Sequence, residues 1–275
     1  MQIDNNTKLF GVFGNPVAHS LSPAMHNRAF AATGYKGVYL PFHIEKIEPA
    51  IAAIRTLGIR GVSVTLPHKV TIMEGLDRLD PLAGRIGAVN TIVNTDGVLT
   101  GYNTDCFGAV SALEQYSDIK GKDVAIIGAG GAARAIGWGV SDAGGKVVVV
   151  NRSVEKGEQL ADDLNAAFLA LDRIDELEAD ILVNATPVGM HPNSGGLPVP
   201  AGVFRPGMLA MDIVYTPLKT EFLKQAQSAR SRIIDGLTMF VLQGARQFEL
   251  WTGLDAPIDA MREAVLEKIN YSGDH

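Results

Sequence analysis

Residues 124–134 read Val-Ala-Ile-Ile-Gly-Ala-Gly-Gly-Ala-Ala-Arg, and no other stretch limits the available folds as much. Residues 124–127 are apolar and mostly β-branched, the composition of a buried strand. The small residues that follow open into a helical pattern. Gly128, Gly130 and Ala133 fall at the small-residue positions of G-x-G-x-x-[GA], a motif that binds a dinucleotide where it joins a strand to a helix. Gly128 permits the tight turn, Gly130 lets backbone approach a pyrophosphate, and Ala133 lets the helix lie close to the strand. The helix start then offers unpaired amides to phosphate. Gly128, Ala129, Gly130, Gly131 and Ala132 are therefore expected cofactor contacts. A glycine-rich turn in an ordinary α/β core is the competing reading, and strand, helix and spacing together favour the nucleotide loop.

The next β-rich run ends at Val150, about where NAD enzymes carry a carboxylate for the ribose 2′-hydroxyl, ~20 residues beyond the loop. Here the residues are Asn151, Arg152 and Ser153. A carboxylate would repel a 2′-phosphate, whereas a guanidinium pairs with it in two-pronged fashion and stacks on adenine. The expected cofactor is NADP(H). Lys156, one helical turn on, can add charge, although a lysine on a helix face is commonly only solvated.

The rest of the chain repeats the same rhythm. Apolar runs at residues 9–14, 37–44, 61–66 and 88–93 alternate with helical periodicity at 23–33 and 47–57. Asp96-Gly97 marks a hairpin. Pro23 suits the first helical turn, with the Ser22 hydroxyl before it as a cap. After a helix at 106–116, runs at 124–127, 146–150, 167–171, 181–184 and 209–213 form a second alternating set, followed by helices at 237–252 and 257–269. The fold class is α/β in two domains. Glycines 14, 61, 87, 101, 189 and 236 are read as punctuation at strand ends that form a binding cleft.

Among 275 residues, 24 Lys+Arg stand against 30 Asp+Glu, a net charge of −6. That argues against a broad basic surface for nucleic acid or an anionic membrane, so an anionic ligand needs a local site. The single cysteine, Cys106, excludes an intrachain disulfide and a Cys-rich zinc site. The histidines at 19, 26, 43, 68 and 191 lack metal-ligand spacing, and no metal is expected. The start lacks the basic and apolar regions of a signal peptide, and no apolar run approaches the ~20 residues of a membrane helix. A cytoplasmic protein is expected.

Ligands of open α/β sheets sit beyond the carboxyl ends of strands. Those ends carry Ser20-Leu21-Ser22, Thr65-Leu66-Pro67-His68-Lys69, Gly87-Ala88-Val89-Asn90-Thr91 and Asn103-Thr104-Asp105, hydroxyls and amides with one lysine and one carboxylate. They suit a small polyhydroxylated ligand. With the glycine loop, Asn151-Arg152-Ser153, Asn184-Ala185-Thr186-Pro187-Val188-Gly189-Met190, Asp212-Ile213-Val214-Tyr215 and residues 236–243, in this order and spacing, the sequence resembles the shikimate dehydrogenase family over nearly its whole length.

The resemblance implies NADPH-dependent reduction of 3-dehydroshikimate to shikimate in aromatic amino-acid biosynthesis. It implies an N-terminal α/β substrate domain, residues 1–105 with 236–275, and an inserted Rossmann-type NADP-binding domain, residues 106–235, around a cleft, with the terminal helices packing back on the first domain. Lys69 and Asp105 are the implied catalytic pair. Ser20 and Ser22 are the implied carboxylate contacts, Thr65, Asn90, Asp105 and Gln243 the ring-hydroxyl contacts, with Lys69 and Tyr215 beside the substrate. Thr186, Val214, Gly236 and Met239 are implied on the nicotinamide side, though Met239 alone would be read as core. The implied state is a monomer or homodimer. A quinate/shikimate dehydrogenase and a non-catalytic metabolite-binding protein on the same fold are the alternatives; the serine pair and Arg152 speak against the first, and the intact Lys69 and Asp105 against the second.

Overall fold

In a computed structural model of the chain, residues 3–272 are described. The chain forms two compact units: residues up to Thr104 together with those from Gln243 onward, and Asp105–Leu242. The first unit contains β1 (Lys8–Gly14), α1 (Ser22–Thr33), β2 (Gly37–His43), α2 (Ile47–Thr56), β3 (Gly61–Val64), β4 (Arg78–Leu79), α3 (Pro81–Ile86), β5 (Thr91–Thr95) and β6 (Val98–Tyr102). Its sheet runs β2-β1-β3-β5-β6-β4, with β1 parallel to β2 and β3 and β5 antiparallel to β3 and β6. Asp96 and Gly97 join β5 to β6 with φ of 51° and 93°, the two left-handed residues that a tight hairpin needs.

From α4 (Thr104–Glu114) the chain enters the second unit. There β7 (Asp123–Ile127), α5 (Gly131–Asp142), β8 (Lys146–Asn151), α6 (Val154–Leu164), β9 (Ala167–Ala170), β10 (Ile181–Asn184), β11 (Leu209–Asp212), α7 (Glu221–Ser228) and β12 (Arg232–Ile234) follow. All strands pair in parallel, in the order β12-β11-β10-β7-β8-β9. Counted from β7 as the first, this is the 3-2-1-4-5-6 order of a Rossmann sheet. The strands obey period two: Val124 and Ile126 join one apolar layer, with Val183 and Met211, while Ala125 and Ile127 join the other, with Leu182 and Ala210.

Finally, α8 (Gly236–Thr252) crosses the unit boundary and α9 (Ile258–Ser272) returns to the first unit, where Glu267 pairs with Arg28 of α1 at 2.7 Å. Trp251 packs on Phe10, His26 and Tyr39 and donates to the Ile92 carbonyl at 3.0 Å. A Cβ on Gly61 would stand 2.4 Å from that indole. Gly61 thus opens β3 as a packing glycine, not as a marker of a binding cleft.

Three local expectations change. Ser22 is itself the first residue of α1 and makes no capping bond. The strand expected over 88–93 begins at Thr91; the Val89 amide is donated away from the sheet, to the Lys69 carbonyl. And β4, α3 and β12 were not expected; α3 is capped by Asp80, whose carboxylate accepts from the Leu82 amide. Among the described residues, no helix is long and apolar enough to cross a membrane.

Candidate active site

In the second unit β7 has β8 on one side and β10 on the other, so the loop after β7 lies where strand order reverses, the usual ligand position of such sheets. Gly128 has φ of +113°, and a Cβ there would approach Thr186 Cγ2 to 3.1 Å. Its conformation requires glycine. Gly130 and Gly131 are different: a Cβ on either would meet nothing within 4 Å, and Gly130 has an ordinary extended backbone. Nothing in the protein requires those two glycines, so the space over them suits a closely approaching ligand. Ala129 and Ala132 are half-buried beside them, and Ala133 is fully buried against the sheet.

At the end of β8, Asn151 donates to the Ser153 carbonyl at 2.8 Å, which shapes the turn into α6. Arg152, Ser153 and Lys156 are exposed. Arg152 borders a surface pocket with Val154, Ala170, Leu171 and Leu197. Its guanidinium has no ion-pair partner among the described residues, so it is available to an external anion. The open glycine loop and this guanidinium are the donor set that a 2′-phosphorylated dinucleotide needs.

Beside the loop, Asn184 and Asp212 end β10 and β11 as register partners. Asn184 Nδ2 donates to Asp212 Oδ1 at 3.0 Å and to the Val188 carbonyl at 3.2 Å, while Asn184 Oδ1 accepts from the Thr186 amide and hydroxyl. Asp212 also accepts from the Val214 amide at 3.0 Å and the Thr220 hydroxyl at 2.5 Å. The fully buried carboxyl is pushed up to about 6 by desolvation, against these bonds. This pair holds the segments carrying Thr186 and Val214. Sequence reading did not select it for the site; its signal was a polar residue ending each of two apolar strands.

Gly236 faces backbone, its absent Cβ leaving only 2.4 Å to the Val214 carbonyl. Met239 lies in the core of the second unit. Tyr215 stacks on Phe240 with centroids 4.6 Å apart, and burial raises its phenol pKa.

The first unit carries the remaining polar residues except Asp105. Ser20 Oγ accepts from the Ser22 amide at 3.3 Å. Thr65 follows β3, with its amide donated to the Phe13 carbonyl. His68 is buried and bonds the Ile44 carbonyl at 2.8 Å, so it anchors the loop that presents Lys69. The Lys69 carbonyl accepts from the Val89 amide at 2.8 Å, and its side chain is half-buried. Asn90 is buried, and its Oδ1 accepts from Thr91 Oγ1 and Thr104 N, each at 2.7 Å, and from Thr104 Oγ1 at 3.2 Å. Thr104 Oγ1 also reaches Gln243 Oε1 at 3.4 Å. Thr104 thus joins Asn90 and Gln243, and the next residue, Asp105, lies buried in the first turn of α4. Among the described residues no cluster of His, Cys, Asp and Glu could hold a metal ion.

Family models match three segments: residues 12–92 as a shikimate dehydrogenase substrate binding domain, 111–190 as shikimate / quinate 5-dehydrogenase, and 236–266 as a shikimate 5'-dehydrogenase C-terminal domain. The shikimate dehydrogenase (NADP(+)) of Geobacillus kaustophilus is 44% identical over 272 residues, 95% of this chain and 99% of that protein. A crystal structure of a shikimate dehydrogenase in complex with NADP+ matches with a TM-score of 0.93 at 42% identity, over 98% of each chain. That of the Thermus thermophilus shikimate 5-dehydrogenase in complex with NADP(H) and shikimate gives 0.88 at 38% identity, over 95% of this chain and 99% of that one. With its Rossmann order, its open glycine loop and this likeness from end to end, the chain belongs to the shikimate dehydrogenase family.

Proposed function

We propose that this chain catalyses the reversible NADPH-dependent reduction of 3-dehydroshikimate to shikimate, a step toward chorismate and the aromatic amino acids. The observation that carries the reading is 44% identity, over nearly the full length of both partners, to a shikimate dehydrogenase (NADP(+)). Bound NADPH supplies the hydride. As the ketone is reduced its oxygen gains negative charge, and a proton must reach that oxygen. Lys69 Nζ delivers it in the proposed mechanism, and the Asp105 carboxylate orients the ammonium.

Ser20 and Ser22, at the start of α1, hold the substrate carboxylate with the help of the helix dipole. Thr65, Asn90, Asp105 and Gln243 pair with ring hydroxyls, and Tyr215 lies beside the substrate. The loop from Gly128 to Ala132 takes the pyrophosphate, and Asn151, Arg152, Ser153 and Lys156 take the adenosine end with its 2′-phosphate. Thr186, Val214, Gly236 and Met239 back the nicotinamide. Residues 1–105 with 236–275 are the substrate domain and 106–235 the cofactor domain in this assignment. The protein is cytoplasmic and a monomer or homodimer in the same reading.

The match of residues 111–190 to a model described as shikimate / quinate 5-dehydrogenase favours quinate oxidation as the second reading. Purified protein offered shikimate or quinate, with NADP+ or NAD+, is followed at the NADPH absorbance band. Fastest turnover of shikimate with NADP+ is expected. Faster quinate turnover supports the second reading, and binding without turnover leaves only a metabolite-binding role.

A further inference from the structure

Behind Asn90 lies a set of buried polar groups that the proposed chemistry does not use. Tyr39, Ser63, Gln247, Thr91 and Asn90 are all less than a tenth exposed, and they form one continuous chain of hydrogen bonds. Tyr39 Oη donates to Ser63 Oγ at 2.6 Å, and Ser63 Oγ donates to Gln247 Oε1 at 2.8 Å. Gln247 Nε2 donates to Thr91 Oγ1 at 2.9 Å, and Thr91 Oγ1 donates to Asn90 Oδ1 at 2.7 Å.

Gln247 sets the direction of this chain. A hydroxyl can either donate or accept, but an amide oxygen only accepts and an amide nitrogen only donates. The Gln247 amide therefore receives on the Ser63 side and donates on the Thr91 side. Its other two bonds run to His26 Nε2 at 3.3 Å and to the Asn90 carbonyl at 3.2 Å, so the amide is fully used. Asn90 is held twice, through its backbone directly and through its side chain by way of Thr91. With Oδ1 committed to Thr91 and Thr104, the NH2, the only donor group of the Asn90 side chain, is turned the other way.

We infer that Gln247, acting through Thr91, is a positioning residue for substrate binding: it fixes the carbonyl side of Asn90 inward, so that Asn90 meets a substrate oxygen as a donor. The inference rests on the proposed role of Asn90 as a substrate contact. A merely structural role for Gln247 would change stability without singling out one substrate.

The test uses the full-length protein with shikimate and NADP+. Thr91→Val removes the hydroxyl and keeps the β-branched shape, Gln247→Met removes the amide at similar length, and Thr91→Ser restores the hydroxyl. Loss of the chain is expected to raise KM for shikimate about tenfold in both Thr91→Val and Gln247→Met, the effect of one buried hydrogen bond. KM for NADP+ should hold, kcat should stay within about threefold, and Thr91→Ser should return KM for shikimate to the wild-type value. The double variant should be no worse than the poorer single one, because both cut the same chain. If Gln247→Met does not fold, the Thr91→Val and Thr91→Ser pair decides alone. An unchanged KM for shikimate in Thr91→Val, or an equal rise in KM for NADP+, overturns the inference. Asn90→Ala separates the two levels: if it too leaves KM for shikimate unchanged, the underlying role of Asn90 fails; if it raises KM while Thr91→Val does not, only the positioning role fails.

Discussion

His26 gives a pH dependence whose size follows from burial. The side chain is fully buried, stacked on Tyr39 with centroids 4.6 Å apart, and desolvation lowers its pKa to about 3, against the hydrogen bond to Gln247. The unfolded chain keeps a value near 6.5. Between those values the unfolded state takes up a proton that the folded state refuses, so stability falls as pH drops below ~6.5. From pH 8 to pH 5 the loss is about 2 kcal/mol. That figure is fixed by the unfolded value as long as the folded one stays below ~4. The perturbation is His26→Gln, which keeps a donor near Gln247 and removes the titration. In a Trp138→Phe background Trp251 emission reports the first unit, and urea unfolding at the two pH values gives the slope for each protein. The variant should lose about 2 kcal/mol less than its parent over this range. Equal losses in the two would refute the argument that an uncharged, buried His26 drives the pH response.

Asp212 works in the opposite sense in the second unit: its carboxyl is pushed up to about 6, so the folded state takes up a proton before the unfolded one. Stability there should rise by about 1 kcal/mol from pH 8 to pH 5, and Asp212→Asn should abolish that rise in urea unfolding followed by Trp138 emission in a Trp251→Phe background. Arg152→Ala should raise KM for NADP+ by tenfold or more, on the order of one charge-assisted contact, and leave KM for NAD+ nearly unchanged; equal changes for both cofactors would remove the guanidinium from phosphate recognition. Gly130→Ala should keep the melting temperature, because a methyl there meets no protein atom within 4 Å, while weakening NADP+ in a fluorescence titration; unchanged binding would show that no ligand comes close over the loop. Lys69→Ala should keep the fold and much of the shikimate affinity but lower kcat roughly 10²-fold or more, and an undiminished kcat in single-turnover measurements would take the proton-transfer role away from it.

What sequence could reveal depended on how far apart the cooperating residues lie. Strand β7, the loop after it and α5 are one contiguous signal, so the Rossmann core was legible from residues 124–134. The two residues of β4 and the three of β12 are too short to display a period; they exist because neighbouring strands offer free edges. Ser22 before Pro23 reads as a cap by every local rule. The helix instead begins one residue early, with Ser22 inside its first turn and no side-chain cap. The Asn184–Asp212 pair escaped the site assignment because each is an unremarked polar strand end until β10 and β11 pair in register.

The glycines make the point sharpest. Gly61 and Gly236 read as punctuation at strand ends and Gly130 as the phosphate-approach position of the motif, yet in local composition all three are small residues at the margins of β-rich runs. Gly61 is required by the Trp251 indole and Gly236 by the Val214 carbonyl, each 2.4 Å from where a Cβ would stand. Gly130 has no such neighbour and no left-handed backbone. Gly84, Gly195 and Gly202 are equally open, but none of them stands in a strand-to-helix loop where strand order reverses. The open space over Gly130 and Gly131 therefore argues for a nucleotide together with the motif and the place of the loop in the sheet, because a turn that binds nothing satisfies the motif alone and other glycines satisfy the openness alone.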